Sequence, residues 1–174
     1  MSVDVAQLVG GAFGGAIASS VIGPLIADRG TRRALRGDVL RSLSDVERAR
    51  WAGGKWEWDD FQAAKHSLRA AALVAGANRE VVDRYLRLAT VARRSSDRSA
   101  ELLPEEAGGG VIQGILETLV SDSATLVVDE LWHPHRRRFA IRRRLAQNER
   151  DEAAAREKPG DDFLGGIDWD VLDL

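Results

Sequence analysis

For 23 consecutive residues, positions 5–27, the chain carries no charged side chain. Coiled as a helix they would reach about 34 Å, enough to cross a hydrocarbon layer of about 30 Å. Two stripes recur along this run every four residues. Val5, Val9, Phe13, Ile17, Val21 and Leu25 make a bulky one; Gly11, Gly15, Ser19 and Gly23 make a small one on the other side, widened by Gly10, Gly14 and Ala18. In water a glycine inside a helix costs about 1 kcal/mol relative to alanine. In lipid the same small stripe lets another helix approach closely. The pattern predicts a transmembrane helix within residues 1–28, with its bulky face to lipid. Gly11, Gly15, Ser19 and Gly23 would be the helix-association face, meeting a second copy or another membrane helix. Pro24 stands within a turn of the end, where neighbouring groups satisfy what it frees.

Other readings of the run compete with this one. A secretory leader needs a basic start, and before the run there is only Asp4. The glycines at 10, 11, 14 and 15 lack both the lysine of a phosphate loop and the spacing of a dinucleotide site. A soluble helix buried within an oligomer remains, because the glycines make the run only moderately hydrophobic. Orientation follows from Arg29, Arg32, Arg33, Arg36 and Arg41, which crowd the carboxyl side while nothing basic but the amino terminus precedes. By the positive-inside rule the amino terminus would lie outside the plasma (inner) membrane and the rest of the chain in the cytoplasm.

Beyond residue 28 the apolar period is helical. Leu35, Val39, Leu43 and Val46 line one face of a first helix that runs from Thr31 until Gly53 and Gly54. A second, from about Asp59 to Gly76, turns Phe61, Ala64, Leu68, Ala72 and Ala75 inward. Asn78 is a suitable N-cap for a third, with Val81, Tyr85, Leu88 and Ala92 on its apolar side. Residues 95–110, with Pro104 and three successive glycines, read as a loop. From about Val111 a fourth helix is so apolar that only Glu117, Asp122, Asp129 and Glu130 mark a solvent side. Those acids also argue against a second membrane span. The expected fold is thus all-α: an N-terminal transmembrane helix, then an antiparallel bundle of about four helices over residues 29–150, then a flexible tail over 151–174.

Short loops make neighbouring helices antiparallel, so the fourth helix would end beside the bilayer. Trp132 stands there, followed by Arg136, Arg137, Arg138, Arg142, Arg143 and Arg144. An aromatic next to a basic cluster suits anionic inner-leaflet headgroups, although a solvated helix face or an acidic protein partner fits as well. No helix-turn-helix or RNA-binding signature accompanies the arginines, so nucleic acid is not an expected partner. Residues 136–150 sum to +6 and residues 151–174 to −6. After a linker expected over 151–160, acids alternate with Phe163, Leu164, Ile167, Trp169 and Leu172. This segment suits an idle disordered tail, a docking motif for a protein partner, or a clasp over the chain's own arginines.

Sites for chemistry are sparse. The chain has no cysteine, which removes thiol nucleophiles, disulfides and thiolate metal centres. His66 has no acid in register; His133 and His135 flank Pro134 with no evident third ligand. No Gly-x-Ser-x-Gly elbow occurs. Glu57, Asp59 and Asp60 are explained by helix capping, and Trp51, Trp56 and Trp58 by sealing the end of a bundle or by an aromatic docking surface. No catalytic residue, cofactor or metal is expected.

The glycine- and alanine-rich run, the Arg32-Arg33 pair and the amphipathic helix continuing to Trp51 resemble the layout of small actinobacterial single-pass membrane proteins. That resemblance covers about the first fifty residues and implies topology alone. The expected function is a membrane-tethered, non-enzymatic adaptor or scaffold. Two alternatives are a holin-like or toxin-like effector that permeabilises membranes, and a soluble helical oligomeric binding module.

Overall fold

The computed structural model describes residues 30–51, 57–102, 114–133, 138–157 and 169. Among them are five helices and no strand: α1 (residues 30–49), α2 (Trp58–Val74), α3 (Arg79–Leu102), α4 (Gly114–Trp132) and α5 (Arg138–Glu157). The fold is an all-α helical bundle. No helix of the described residues is long and apolar enough to cross a membrane. The expected span at residues 5–27, with Gly11, Gly15, Ser19 and Gly23, lies outside them.

Both ends of α2 and the start of α3 have local causes. The Glu57 backbone N–H donates to the Asp60 carboxylate at 3.1 Å, and the acids of the first turn of α2 face its dipole favourably. The carboxyl end of α2 closes as a Schellman motif: Ala77 N–H reaches Ala72 O at 2.9 Å and Gly76 N–H reaches Leu73 O at 3.1 Å. Gly76 takes φ +70° to do so. Asn78 Oδ1 then accepts from Glu80 N–H at 3.0 Å and caps α3. Gly37, by contrast, lies inside α1, and a Cβ placed there meets nothing within 4 Å. The two glycines should respond with opposite signs. Gly76→Ala should cost about 1 kcal/mol through its left-handed backbone, and Gly37→Ala should gain about 0.5–1 kcal/mol by lowering unfolded-chain entropy. Urea midpoints of the two variants check this.

The core joins Val39, Leu43 and Val46 of α1, Phe61 and Leu68 of α2, Val81, Tyr85, Leu88 and Ala92 of α3, and Leu116, Leu119, Val120, Leu126 and Val127 of α4. Each fully buried Leu or Phe contributes about 1.5–3 kcal/mol. On α5 the buried positions are Ile141, Leu145, Asn148, Glu152 and Ala155, alternately four and three residues apart.

Two stretches depart from the sequence reading. Residues 95–102, expected as loop, continue α3, with Ser95, Ser96 and Ser99 buried. The Ser99 hydroxyl donates to Ser96 O at 3.0 Å, so the serine polarity is absorbed by the helix itself. Residues 151–157, expected as linker, continue α5. The cause is Glu152, buried between Arg84 and Arg87 of α3 and Arg156 of its own helix. Asn148 seats the same helix: its Nδ2 donates to Leu119 O at 3.1 Å, and it accepts from Arg84 Nε at 2.9 Å. Burial alone would raise the Glu152 carboxyl, but hydrogen bonds from Arg87 and Arg156 and the charge of Arg84 hold it below its ordinary value.

A second polar cluster ties α1 to α3 and α4. Buried Arg50 donates to both Glu117 oxygens, at 2.9 and 2.8 Å, and to Glu47 at 2.8 Å. Tyr85 donates to the other Glu47 oxygen at 2.7 Å. Burial, then the Glu47 charge, push the Tyr85 hydroxyl well above its ordinary value, so it remains a donor. Arg93 of α3 completes the attachment by donating to Ala49 O at 2.9 Å and Trp51 O at 2.7 Å, capping the last carbonyls of α1.

Candidate functional site

These ties set the helix directions. Arg50 near the end of α1 meets Glu117 in the first turn of α4, while Arg36 near the start of α1 lies with its guanidinium 5.2 Å from the Trp132 ring at the end of α4. Leu119 meets Asn148, and Asp129 pairs with Arg144, so α4 and α5 are antiparallel. One pole of the bundle therefore gathers the start of α1, the α2–α3 turn, the end of α4 and the start of α5. A cleft of about 280 Å³ lined by Gly76, Asn78, Glu130, Ile141 and Arg142 opens between the last three.

Large apolar side chains are exposed at this pole. Leu73 is 80% exposed, Val74 66%, Trp132 48% and Phe139 89%. The remaining exposed large apolar residues among those described, Trp51 and Ile115, stand at the opposite pole beside the Arg50 cluster. Cations surround the first group. Arg33, Arg142 and Arg143 are exposed and form no ion pair among the described residues, and Arg36 covers one face of Trp132. Exposed apolar side chains and arginines thus share one pole of the bundle, with Glu130 in the cleft between them.

Of the expected basic patch, Arg142, Arg143 and Arg144 stand on the first turns of α5, with Arg144 drawn to Asp129. The backbone of Arg138 opens that helix, and Arg136 and Arg137 lie outside the described residues. Of the acids expected on the solvent side of α4, Asp122 is exposed, whereas Glu117 and Asp129 are engaged by arginines. Leu73, Val74 and Phe139 were not singled out by the sequence. Their signal was available: Leu73 and Val74 fall off the inward face that Ala72 marks, and Phe139 interrupts a run of arginines.

The tail contributes one described residue. Trp169 is half-buried, with the Arg156 guanidinium 5.6 Å from its ring centre and donating to its carbonyl at 3.2 Å. Arg156 is about 21 Å along α5 from Arg142, so this contact belongs to the far end of that helix from the basic patch. Phe163, Leu164, Ile167 and Leu172 lie outside the described residues. At the opposite pole Trp58 packs on Phe61 with ring centres 5.6 Å apart, and Arg50 lies 4.7 Å from the Trp51 ring; Trp56 is outside the described residues. His66 and His133 are exposed, and no three His, Asp or Glu side chains gather as metal ligands among the described residues. No protein-family description, curated protein or solved structure matches the chain.

Proposed function

We propose that this chain is a membrane-tethered, non-enzymatic adaptor of the plasma membrane, its bundle on the cytoplasmic side and its arginine-ringed pole resting on anionic inner-leaflet lipid. The observation that carries the reading is the exposure of Leu73, Val74, Trp132 and Phe139 at the pole where α1 begins, directly after the uncharged run of residues 5–27. In this reading that run is a transmembrane helix, and Gly11, Gly15, Ser19 and Gly23 are the face by which it associates with a second copy or another span. The helical surfaces away from the lipid, and the tail residues Phe163, Leu164, Ile167, Trp169 and Leu172, are then the parts open to a protein partner.

The absence of cysteine makes a site-specific probe simple. Phe139→Cys and Ile115→Cys place one reactive thiol at each pole of the reconstituted full chain. A polarity-sensitive dye at 139 should be quenched by brominated anionic lipid, and one at 115 should not. Arg142→Gln with Arg143→Gln should shift half-maximal quenching at 139 to about thirtyfold more anionic lipid, at about 1 kcal/mol per arginine near the surface. Equal quenching at the two poles rejects the orientation. Release of the chain from membranes by a carbonate wash rejects the span.

A further inference from the structure

Between the end of α2 and the start of α3 lies a second cavity, of about 180 Å³. Its walls are Ala72, Leu73, Ala77 and Val82, and its polar lining is Arg69, Arg79 and Asp83. Asp83 serves two cations at once: Arg69 Nη2 donates to one of its oxygens at 2.9 Å, and Arg79 Nε donates to the other at 3.0 Å. Two guanidinium groups on one carboxylate leave a net charge of +1, with further N–H donors available on each fork. Among the described residues Arg69 Nε is buried and has no hydrogen-bond partner, so the hydrogen-bonding capacity of this guanidinium is not used up by Asp83.

Volume and shape narrow the ligand. Drug-sized ligands and nucleotides occupy pockets of about 300 Å³ or more, so this cavity suits a headgroup-sized fragment. Its charge calls for an anion, and guanidinium pairs match phosphate oxygens particularly well. Leu73 forms part of the wall and is also one of the exposed apolar residues of the pole, so the apolar side of the cavity is continuous with that surface. We propose that Arg69, Arg79 and the apolar wall between them form a binding site for the phosphodiester headgroup of one anionic phospholipid, its glycerol and first methylenes lying on Leu73, Ala77 and Val82. The shared chemistry is a phosphate ester attached to an apolar group; the choice of a lipid over a soluble phosphate ester rests on the membrane-facing pole proposed above.

The test follows the methyl resonances of Leu73 and Val82 in the full chain held in a neutral detergent. It titrates monomeric short-chain phosphatidylglycerol, the corresponding phosphatidylcholine, and glycerol phosphate without acyl chains. Phosphatidylglycerol should shift both methyls saturably. Arg79→Gln, whose side chain is 90% exposed and thus safe for folding, should weaken binding about tenfold. Ala77→Phe, which fills the cavity, should abolish it. Equal shifts with phosphatidylcholine, or affinity unchanged in both variants, overturn the site. Glycerol phosphate binding as tightly as the lipid overturns the lipid assignment. The Phe139 quenching experiment reads the pole separately, so either idea can fail while the other stands.

Discussion

Replacing Glu152 by glutamine should cost about 3–5 kcal/mol of stability, the range for stripping one partner from a buried ion pair. Glu152 is buried and draws Arg84 and Arg87 from α3 and Arg156 from α5. Arg87 and Arg156 are exposed enough to swing toward water, but Arg84 is buried and keeps its hydrogen bonds to Asn148 and the more distant charge of Glu149. Most of the loss should therefore trace to Arg84, and pairing Arg84→Met with Glu152→Leu should recover the greater part of it. Guanidinium midpoints at unchanged slope measure both effects. A loss below 1 kcal/mol for Glu152→Gln would show that the charge is solvated and that the cluster does not seat α5. The pH profile supplies an independent reading. Glu152 and Glu117 are both held below their ordinary 4.5, so the stability they confer is complete above that pH and is lost as the pH falls through their folded values.

Arg50→Ala should be the next most damaging change, at about 2–3 kcal/mol, the net scale of one charge-assisted hydrogen bond. The smaller figure reflects what is left behind. Arg50 itself is buried, but Glu47 and Glu117 are partly exposed and can take up water, and Tyr85 still donates to Glu47. The readout distinguishes a local from a general effect. Because Arg50 joins α1 to α4, amide exchange should rise first along α1 and the first turns of α4, with α2 and the first half of α3 protected. Uniform acceleration across all five helices would mean that α1 does not open separately.

Much of the bundle was legible in the sequence because apolar period determines which face is buried. Val39, Leu43 and Val46, then Phe61, Ala64, Leu68 and Ala72, then Val81, Tyr85, Leu88 and Ala92 are all buried as their spacing predicts. Leu35 and Ala75, at the ends of their stripes, are only half-buried. The stops were legible too, since Gly76 and Asn78 have strong local preferences. The misses share one physical cause. Residues 95–102 read as part of the loop that Pro104 and the glycines mark, and residues 151–157 as a linker, because what makes Ser99 and Glu152 acceptable inside is a partner that composition does not reveal. For Glu152 that partner is two arginines some 65 residues earlier. The exposed pole was legible in part: Trp132 beside the arginines announces it, whereas Leu73 and Val74 join it only once the α2–α3 turn is folded against α4 and α5.

The seam of α5 repeats every three or four residues, as in a heptad pattern, and its central positions are an amide and a carboxylate. Apolar seams tolerate sliding, since one leucine fits much the same hole as the next, whereas polar knobs permit one register. Slipping α5 by a turn would take Asn148 away from the Leu119 carbonyl and Glu152 away from Arg84. The helix is consequently a ruler of fixed length, holding the arginines at its beginning and the tryptophan contact beside its end at a constant separation.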